Sequence, residues 1–258
     1  RSHEMLGGVL KTYYAEKNGI DPKDIFVVSI MPCTAKKFES SREELSASGY
    51  QDVDVVLTTR ELGKMIKQAG IDFTKLPDED FDPVLGESTG AAVIFGVTGG
   101  VMEAALRTVA EVVTGKPLEK IEFEAVRGLD GIREAEIPVG DLNVKVAIAN
   151  STGCARKLLE KVKSGEKEYH FIEIMGCPGG CVNGGGQPFI SDRIRSEENY
   201  IQERASALYK EDESKDIRKS HENPMIKKIY EEYFGEPNSH KAHEVLHTHY
   251  KKRPKFIN

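Results

Sequence analysis

The sequence predicts an α/β protein: two lobes of mostly parallel sheet flanked by helices, their strand ends meeting at one cleft, plus a helical C-terminal tail. Three observations carry this. Short apolar runs alternate with helical stretches, the pattern of a helix-covered parallel sheet. Two of those runs end alike, VVSIMPC at 27–33 and FIEIMGC at 171–177. Beyond about residue 192 the chain becomes strongly charged and helical, with apolar stripes too thin to make a core of their own.

In chain order, residues 5–18 read as a helix stopped by Gly19, and IFVVSIM at 25–31 as a buried strand. VDVVLT at 53–58 is a second strand, followed by a helix over 60–69 closed by Gly70. Residues 77–83 form an acidic loop, and 99–114 a helix between a glycine pair and Gly115. Strands are expected near 121–126 and 143–149, then a helix over 154–163 with Leu158, Leu159 and Val162 on one face. A strand at 169–174 leads into the glycine-rich run. Connections should be right-handed. Ligands of such sheets sit beyond the C-terminal strand ends, where both Met-x-Cys turns fall, 144 residues apart. In the tail, Asn223-Pro224 and Ser239 open helices, and Ile226, Ile229, Tyr230 and Tyr233 make one stripe. The expected organisation is an α/β body over 1–192 and a tail over 193–258 wrapped on it.

A chain of 258 residues, 39% hydrophobic and 30% charged, is an ordinary soluble composition. A formal charge of -6 without a Lys/Arg cluster argues against nucleic acid. No apolar run reaches membrane-spanning length. No signal peptide opens the chain, which favours the cytoplasm, with the periplasm open if a leader precedes residue 1. The chain starts without Met and enters a helical pattern at once, so a fragment or processed chain is expected. Cys33, Cys154, Cys177 and Cys181 point to metal binding or catalysis rather than a disulfide framework.

Cys177 and Cys181 stand four apart with Pro-Gly-Gly between them and a glycine triplet after. Two thiolates at this spacing can ligate one centre. The rival reading is two buried structural cysteines on a flexible loop. So many glycines are entropically costly, which favours a bulky object lying against this backbone. Cys33 follows Pro32, which stiffens its turn. Lys36, three residues on, can turn back to the same site, whereas Lys37 reads as solvated surface. Zinc is the obvious alternative metal. Structural zinc sites pair short ligand units, however, and this chain has one pair and one isolated cysteine. Iron–sulfur ligation by scattered cysteines is the better match. Cys154, at a helix start, reads as a small half-buried residue in preference to a reactive thiol. GVTGGVME at 96–103 matches neither phosphate-binding fingerprint, and its backbone is expected to approach the same cleft. His240, His243, His247 and His249 read as surface residues.

Met31-Pro-Cys-Thr-Ala-Lys-Lys-Phe-Glu39 resembles the second cluster motif of the [FeFe]-hydrogenases, and Glu173 to Pro188 resembles the third. Residues 94–107 and 125–131 are similar to the family as well, and the tail resembles its small-subunit-type segment. The resemblance implies an H-cluster in a buried cleft: a [4Fe-4S] cubane joined through one cysteine sulfur to a diiron unit carrying CO, cyanide and a dithiolate. By motif position, Cys33, Cys177 and Cys181 would be cubane ligands, with Cys181 bridging to the diiron unit. Lys36 would hydrogen-bond a cyanide, while Met31, Met175 and Phe95 would pack near the diiron site. Gly185, Gln187 and Pro188 would line the cofactor. The family's first motif, with two adjacent cysteines, is absent from this sequence. One of those cysteines is the fourth cubane ligand and the other passes protons. They are expected on an N-terminal segment or a partner polypeptide. The implied activity is reversible H2 oxidation and proton reduction. Electrons would pass to ferredoxin-like clusters or to NAD(P)H-linked flavin subunits. The alternative is a hydrogenase-like Fe–S protein without diiron site, serving cluster delivery or H2 sensing.

Overall fold

A computed structural model describes residues 2–252. The chain divides into two compact units. The first takes the described residues up to Leu76 together with those from Ile226 onward, and the second takes Pro77–Met225.

The first unit opens with α1 (Ser2–Val9), a π-helical turn (Leu10–Tyr14) and α2 (Ala15–Asn18), ended by Gly19 in the left-handed region. Strands β1 (Val28–Met31) and β2 (Val55–Thr58) pair in parallel, with Val28 opposite Val55 and Met31 opposite Thr58. A short helix α3 (Ala35–Glu39) follows β1, and α4 (Thr59–Gln68) follows β2. The start of α4 is written in its sequence. The Thr58 hydroxyl accepts from the Glu61 amide, while Glu61 reaches back to the Thr58 amide, closing a capping box.

In the second unit, α5 (Gly90–Val93) and α6 (Gly100–Thr114) precede a three-stranded sheet. The sheet comprises β3 (Ile132–Val139), β4 (Leu142–Asn150) and, after α7 (Thr152–Lys163), β5 (Phe171–Met175), in the order β3-β4-β5. Helices α8 (Asp192–Glu197) and α9 (Tyr200–Ser214) complete it. β4 is the centre of this unit because successive side chains serve opposite faces. Val146 and Ile148 join Met102, Leu106 and Ala110 of α6, while Ala147 and Ala149 join Ala155 and Leu158 of α7.

Two expectations need correction. Residues 121–126 are not a strand; they run as a loop ending in a single turn, Glu124–Val126, that buries Val126. The strand lies instead at β3, which forms an antiparallel hairpin with β4 around Gly140-Asp141. Its charged residues and Pro138 hid the alternation that buries Ile137 and Val139. The β4–β5 pair is parallel, so the second sheet is mixed. On α7, Leu158 is buried but Leu159 is exposed.

The tail helices fall in both units. α9 packs within the second. α10 (Pro224–Ile229), the π-helical turn Tyr230–Phe234 and α11 (His240–Leu246), capped by Ser239, return to the first. There Glu232 accepts hydrogen bonds from Tyr13 (2.6 Å) and Lys17 (2.7 Å), and Ile229, Phe234, Ala242 and Val245 are buried. Among the described residues no helix is long and apolar enough to cross a membrane.

Candidate metal centre

None of the four cysteines is in a disulfide. In the first unit, Met31 ends β1, and Pro32 and Cys33 form the turn into α3. All three are half-buried. Lys36 stands one helical turn beyond Cys33 and pairs with Glu39, a further turn along α3. Glu39 Oε2 also accepts from His3 Nε2 at 3.0 Å, so a residue of α1 grips the same oxygen. An ionised carboxylate only accepts, so the bonding proton sits on Nε2. That hydrogen bond, with the Lys36 ammonium, outweighs burial and holds the Glu39 carboxyl far below its usual range. Burial works against charge on Lys36, but Glu39 outweighs it, and its pKa stands above the ordinary lysine value. Both groups are therefore charged.

Glu4 lies beside this pair, fully buried, and neither of its carboxylate oxygens has a hydrogen-bond partner among the described residues. His3 Nε2 is 3.3 Å from Glu4 Oε1, outside hydrogen-bond geometry. Burial first, then the charges of Asp52 and Glu39, push the Glu4 pKa up to about 7. Lys37, read from the sequence as solvated surface, is tied down: its Nζ donates to Val56 O (2.8 Å) and pairs with Glu61 (2.8 Å).

In the second unit, β5 delivers Met175, half-buried, to the glycine-rich loop. The loop is built from successive tight turns: Gly180 N bonds Cys177 O (3.0 Å), Asn183 N bonds Gly180 O (3.1 Å) and Gly184 N bonds Cys181 O (2.9 Å). Gln187 is held through its amide to Gly184 O (3.0 Å) and its Nε2 to Val182 O (3.3 Å). Arg204 of α9 clamps the same Val182 carbonyl at 3.0 Å. Cys177 is half-buried; Cys181, Gly185 and Pro188 are exposed.

Gly180 has a reason within the fold itself. A Cβ on Gly180 would lie 2.6 Å from the Thr98 amide nitrogen and 2.9 Å from Gly96 O, and its φ is +98°. Thr98 N in turn donates to Gly179 O at 3.1 Å. What presses on this turn is the chain's own 96–98 segment, beside which Phe95 sits half-buried. Gly99 and Gly100 likewise pack on the unit's own backbone: their Cβ atoms would lie 2.1 Å from Val126 O and 1.7 Å from Ile94 O. Gly176, next to Cys177, is the opposite case, with nothing within 4 Å of a Cβ. The open space is beside the cysteine, not under the glycine pair.

Three residues that position the loop carried no role in the sequence reading. Glu173, buried in β5, accepts from the amides of Gly99 (2.6 Å) and Met102 (2.7 Å) and locks the strand to the start of α6. Burial raises its pKa, and those two N–H groups oppose the rise. A lone acid in an apolar strand was the available signal. Ser151, at φ +79° and ψ +151°, caps α7 and donates its amide to Met175 O at 2.8 Å. Asn150 ties the end of β4 to Asp130 O at 2.8 Å. Neither has a signal in the sequence, because both act through backbone partners far along the chain.

Each unit carries free thiols on strand-end turns: Cys33 in the first, and Cys177 and Cys181 in the second. Soft thiolate donors suit iron–sulfur chemistry, and the space beside Gly176, next to Cys177, is open. Among the described residues, the groups of three or more metal-type side chains within one ion's reach are His3–Glu4–Glu39 and Glu111–His221–Glu222.

Comparison with known proteins matches residues 2–185 to the family described as iron only hydrogenase large subunit, C-terminal domain, and residues 198–253 to iron hydrogenase small subunit. The chain is 52% identical over 253 residues to NADP-reducing hydrogenase subunit HndD of Solidesulfovibrio fructosivorans, covering 98% of this chain and 42% of that one. It is 49% identical to iron hydrogenase 1 of Clostridium pasteurianum, covering 96% and 43%. A solved [FeFe]-hydrogenase HydA1 variant from Chlamydomonas reinhardtii aligns with TM-score 0.79 and 43% identity, over 96% of this chain and 68% of that one. At greater distance, Protein NAR1 of Arabidopsis thaliana is 31% identical over 96% of this chain and 54% of its own. The chain thus spans under half the length of the hydrogenases it most resembles among these curated relatives.

Proposed function

The chain belongs to the iron-only hydrogenase family, and we propose that it is the C-terminal, larger part of an [FeFe]-hydrogenase catalytic domain. On this reading residues 1–192 belong to the H-cluster domain and 193–258 form a small-subunit-like tail. The observation that carries it is the pair of cysteine turns: thiols outside any disulfide at two strand ends, with a charged Lys36 one turn beyond Cys33.

Cys33, Cys177 and Cys181 would hold the H-cluster as thiolates. The cofactor supplies reversible H2 splitting and the path for electrons. The protein's part is to hold and tune it. The glycine loop keeps Cys177 and Cys181 on a backbone whose turns are satisfied internally. Glu173 and Ser151 fix the strand end that carries Met175. Lys36 offers an ammonium to a cyanide ligand. Met31, Met175 and Phe95 give the diiron site a weakly polar wall, and Gly185, Gln187 and Pro188 line the cofactor. The fourth cubane ligand and the proton-passing cysteine belong to the family's first motif, carried on an N-terminal segment or a partner chain. Electrons would pass to ferredoxin-like clusters or to NAD(P)H-linked flavin subunits, and the similarity to a subunit named NADP-reducing supports an electron-transfer partner.

The second reading, a cluster-assembly relative without diiron unit, rests on the likeness to NAR1 at 31% identity. The 52% identity to a hydrogenase subunit favours the first. Infrared spectroscopy of the anaerobically purified full-length protein separates them. Metal-bound CO and cyanide bands are expected. Iron and sulfide without those bands, after maturation in a host that loads known hydrogenases, would favour the assembly reading.

A further inference from the structure

We propose that Glu39, itself held by His3, is the positioning residue for Lys36. The inference rests on the reading above, in which Lys36 contacts a cyanide, and adds the groups that aim it. A lysine side chain is a flexible four-carbon stem with a freely rotating head. An exposed ion pair one turn away on a helix would restrain it little. Here the pair is not exposed: the side chains of Lys36 and Glu39 are 22% and 20% accessible, and that of His3 is 3%. One oxygen, Glu39 Oε2, takes both the Lys36 ammonium and the His3 Nε2–H, the latter at 3.0 Å. The carboxylate is thus fixed from α1 while it fixes the lysine on α3. Two elements 36 residues apart in sequence meet at one atom.

The test uses the full-length protein with Glu39→Ala, Glu39→Gln, His3→Ala, His3→Gln and Lys36→Ala. In the matured protein, Lys36→Ala should displace the cyanide stretches. Glu39→Ala should displace them comparably although Lys36 is retained, with Glu39→Gln as the isosteric version that preserves folding. His3→Ala should give a smaller displacement, and His3→Gln, whose amide N–H can replace Nε2–H, should restore the wild-type bands. In the unloaded full-length protein, acylation of Lys36 by acetic anhydride, mapped by mass spectrometry, should rise in Glu39→Ala, because losing the carboxylate removes the hydrogen bond and the charge that hold Lys36 protonated. Cyanide bands unmoved in Glu39→Ala but moved in Lys36→Ala would overturn the positioning role and leave the Lys36 contact standing. Bands unmoved in both would remove the contact and the positioning role with it. An unchanged acylation rate would overturn the positioning role whatever the state of the cluster.

Discussion

The two cysteine turns are held by opposite means. In the second unit the loop around Cys177 and Cys181 is a backbone construction, and the buried Arg107, Asp212 and Glu103 are all partnered. Arg107, at 0% exposure, bonds Asp212 through both terminal nitrogens (2.7 and 2.8 Å) and also Glu103 (2.8 Å). Arg127 and Arg218 complete the set from its edges. In the first unit the turn around Cys33 is flanked by side-chain charges, and one of them, Glu4, lacks hydrogen bonds. The difference shows in their acidity. Burial would raise Asp212, but the hydrogen bonds from Arg107 and Arg218 outweigh it and leave its pKa below the carboxylate norm. Glu4, equally buried, stands at about 7. Burial alone does not set the protonation of a buried acid; the completeness of its partners does.

The strongest way to break the contrast is to make the second unit resemble the first. Arg107→Ala leaves Asp212 buried without its main partner and takes one of the hydrogen bonds from Glu103, a loss of about 3–5 kcal/mol. Thermal unfolding of the full-length protein should show it as the most destabilised of these variants. A loss under about 1 kcal/mol would mean that water reaches the network.

The reverse experiment is Glu4→Gln. The folded-state pKa is about 7 against an ordinary 4.5, so the folded protein binds this proton more tightly than the unfolded chain. Below pH 4.5 both states are protonated and Glu4 contributes nothing to the pH dependence. As pH rises to 7 and beyond, the folded state must hold a buried charge, a penalty of about 3 kcal/mol. Glu4→Gln should therefore stabilise the protein by up to that amount at pH 8, with a gain that fades as pH falls toward 4.5. Chemical denaturation across this range measures it, and a gain independent of pH would sink the assignment.

The glycine loop gives a smaller contrast inside one turn. Gly180→Ala places a methyl 2.6 Å from the Thr98 nitrogen at a positive φ, which costs about 1–3 kcal/mol. Gly176→Ala meets nothing within 4 Å and should leave apo-protein stability nearly unchanged. If its methyl faces the cofactor, the change should appear in iron content instead. Equal melting shifts in the two variants would contradict the packing described.

What was legible in the sequence follows the same division. The strand ends bearing Cys33 and Cys177 stood out because each closes an apolar run, and α4 because its capping box is local. β3 is hidden in the sequence because its exposed positions hold Glu134, Glu136 and Pro138, so its pairing partner β4, not its own composition, makes it a strand. The glycine run stands out by its entropic cost, but nothing local to Cys-Pro-Gly-Gly-Cys reveals that residues 96–98 lie against Gly180. His3, Glu4 and Glu39 were equally hidden as a group, since 36 residues separate the partners and no motif spans them.

The smallest effects test the caps at the two strand ends. Thr58 sits at φ −76° with an ordinary capping box, so Thr58→Ala should cost about 1 kcal/mol. Ser151 caps α7 through a long 3.3 Å bond to the Cys154 amide, at φ +79° and ψ +151°, a region that costs a non-glycine residue about 1–3 kcal/mol. Ser151→Gly forfeits a few tenths of a kcal/mol of capping and about 0.5–1 kcal/mol of chain entropy, while the strain is released. The terms nearly cancel, so its melting temperature should stay within about a degree or two of wild type while Thr58→Ala falls by several. Ser151 matters for where it holds the Met175 carbonyl. A matured Ser151→Gly protein with unchanged stability but broadened CO and cyanide bands would locate its role there. A stability loss as large as that of Thr58→Ala, with sharp bands, would make it a cap and nothing more.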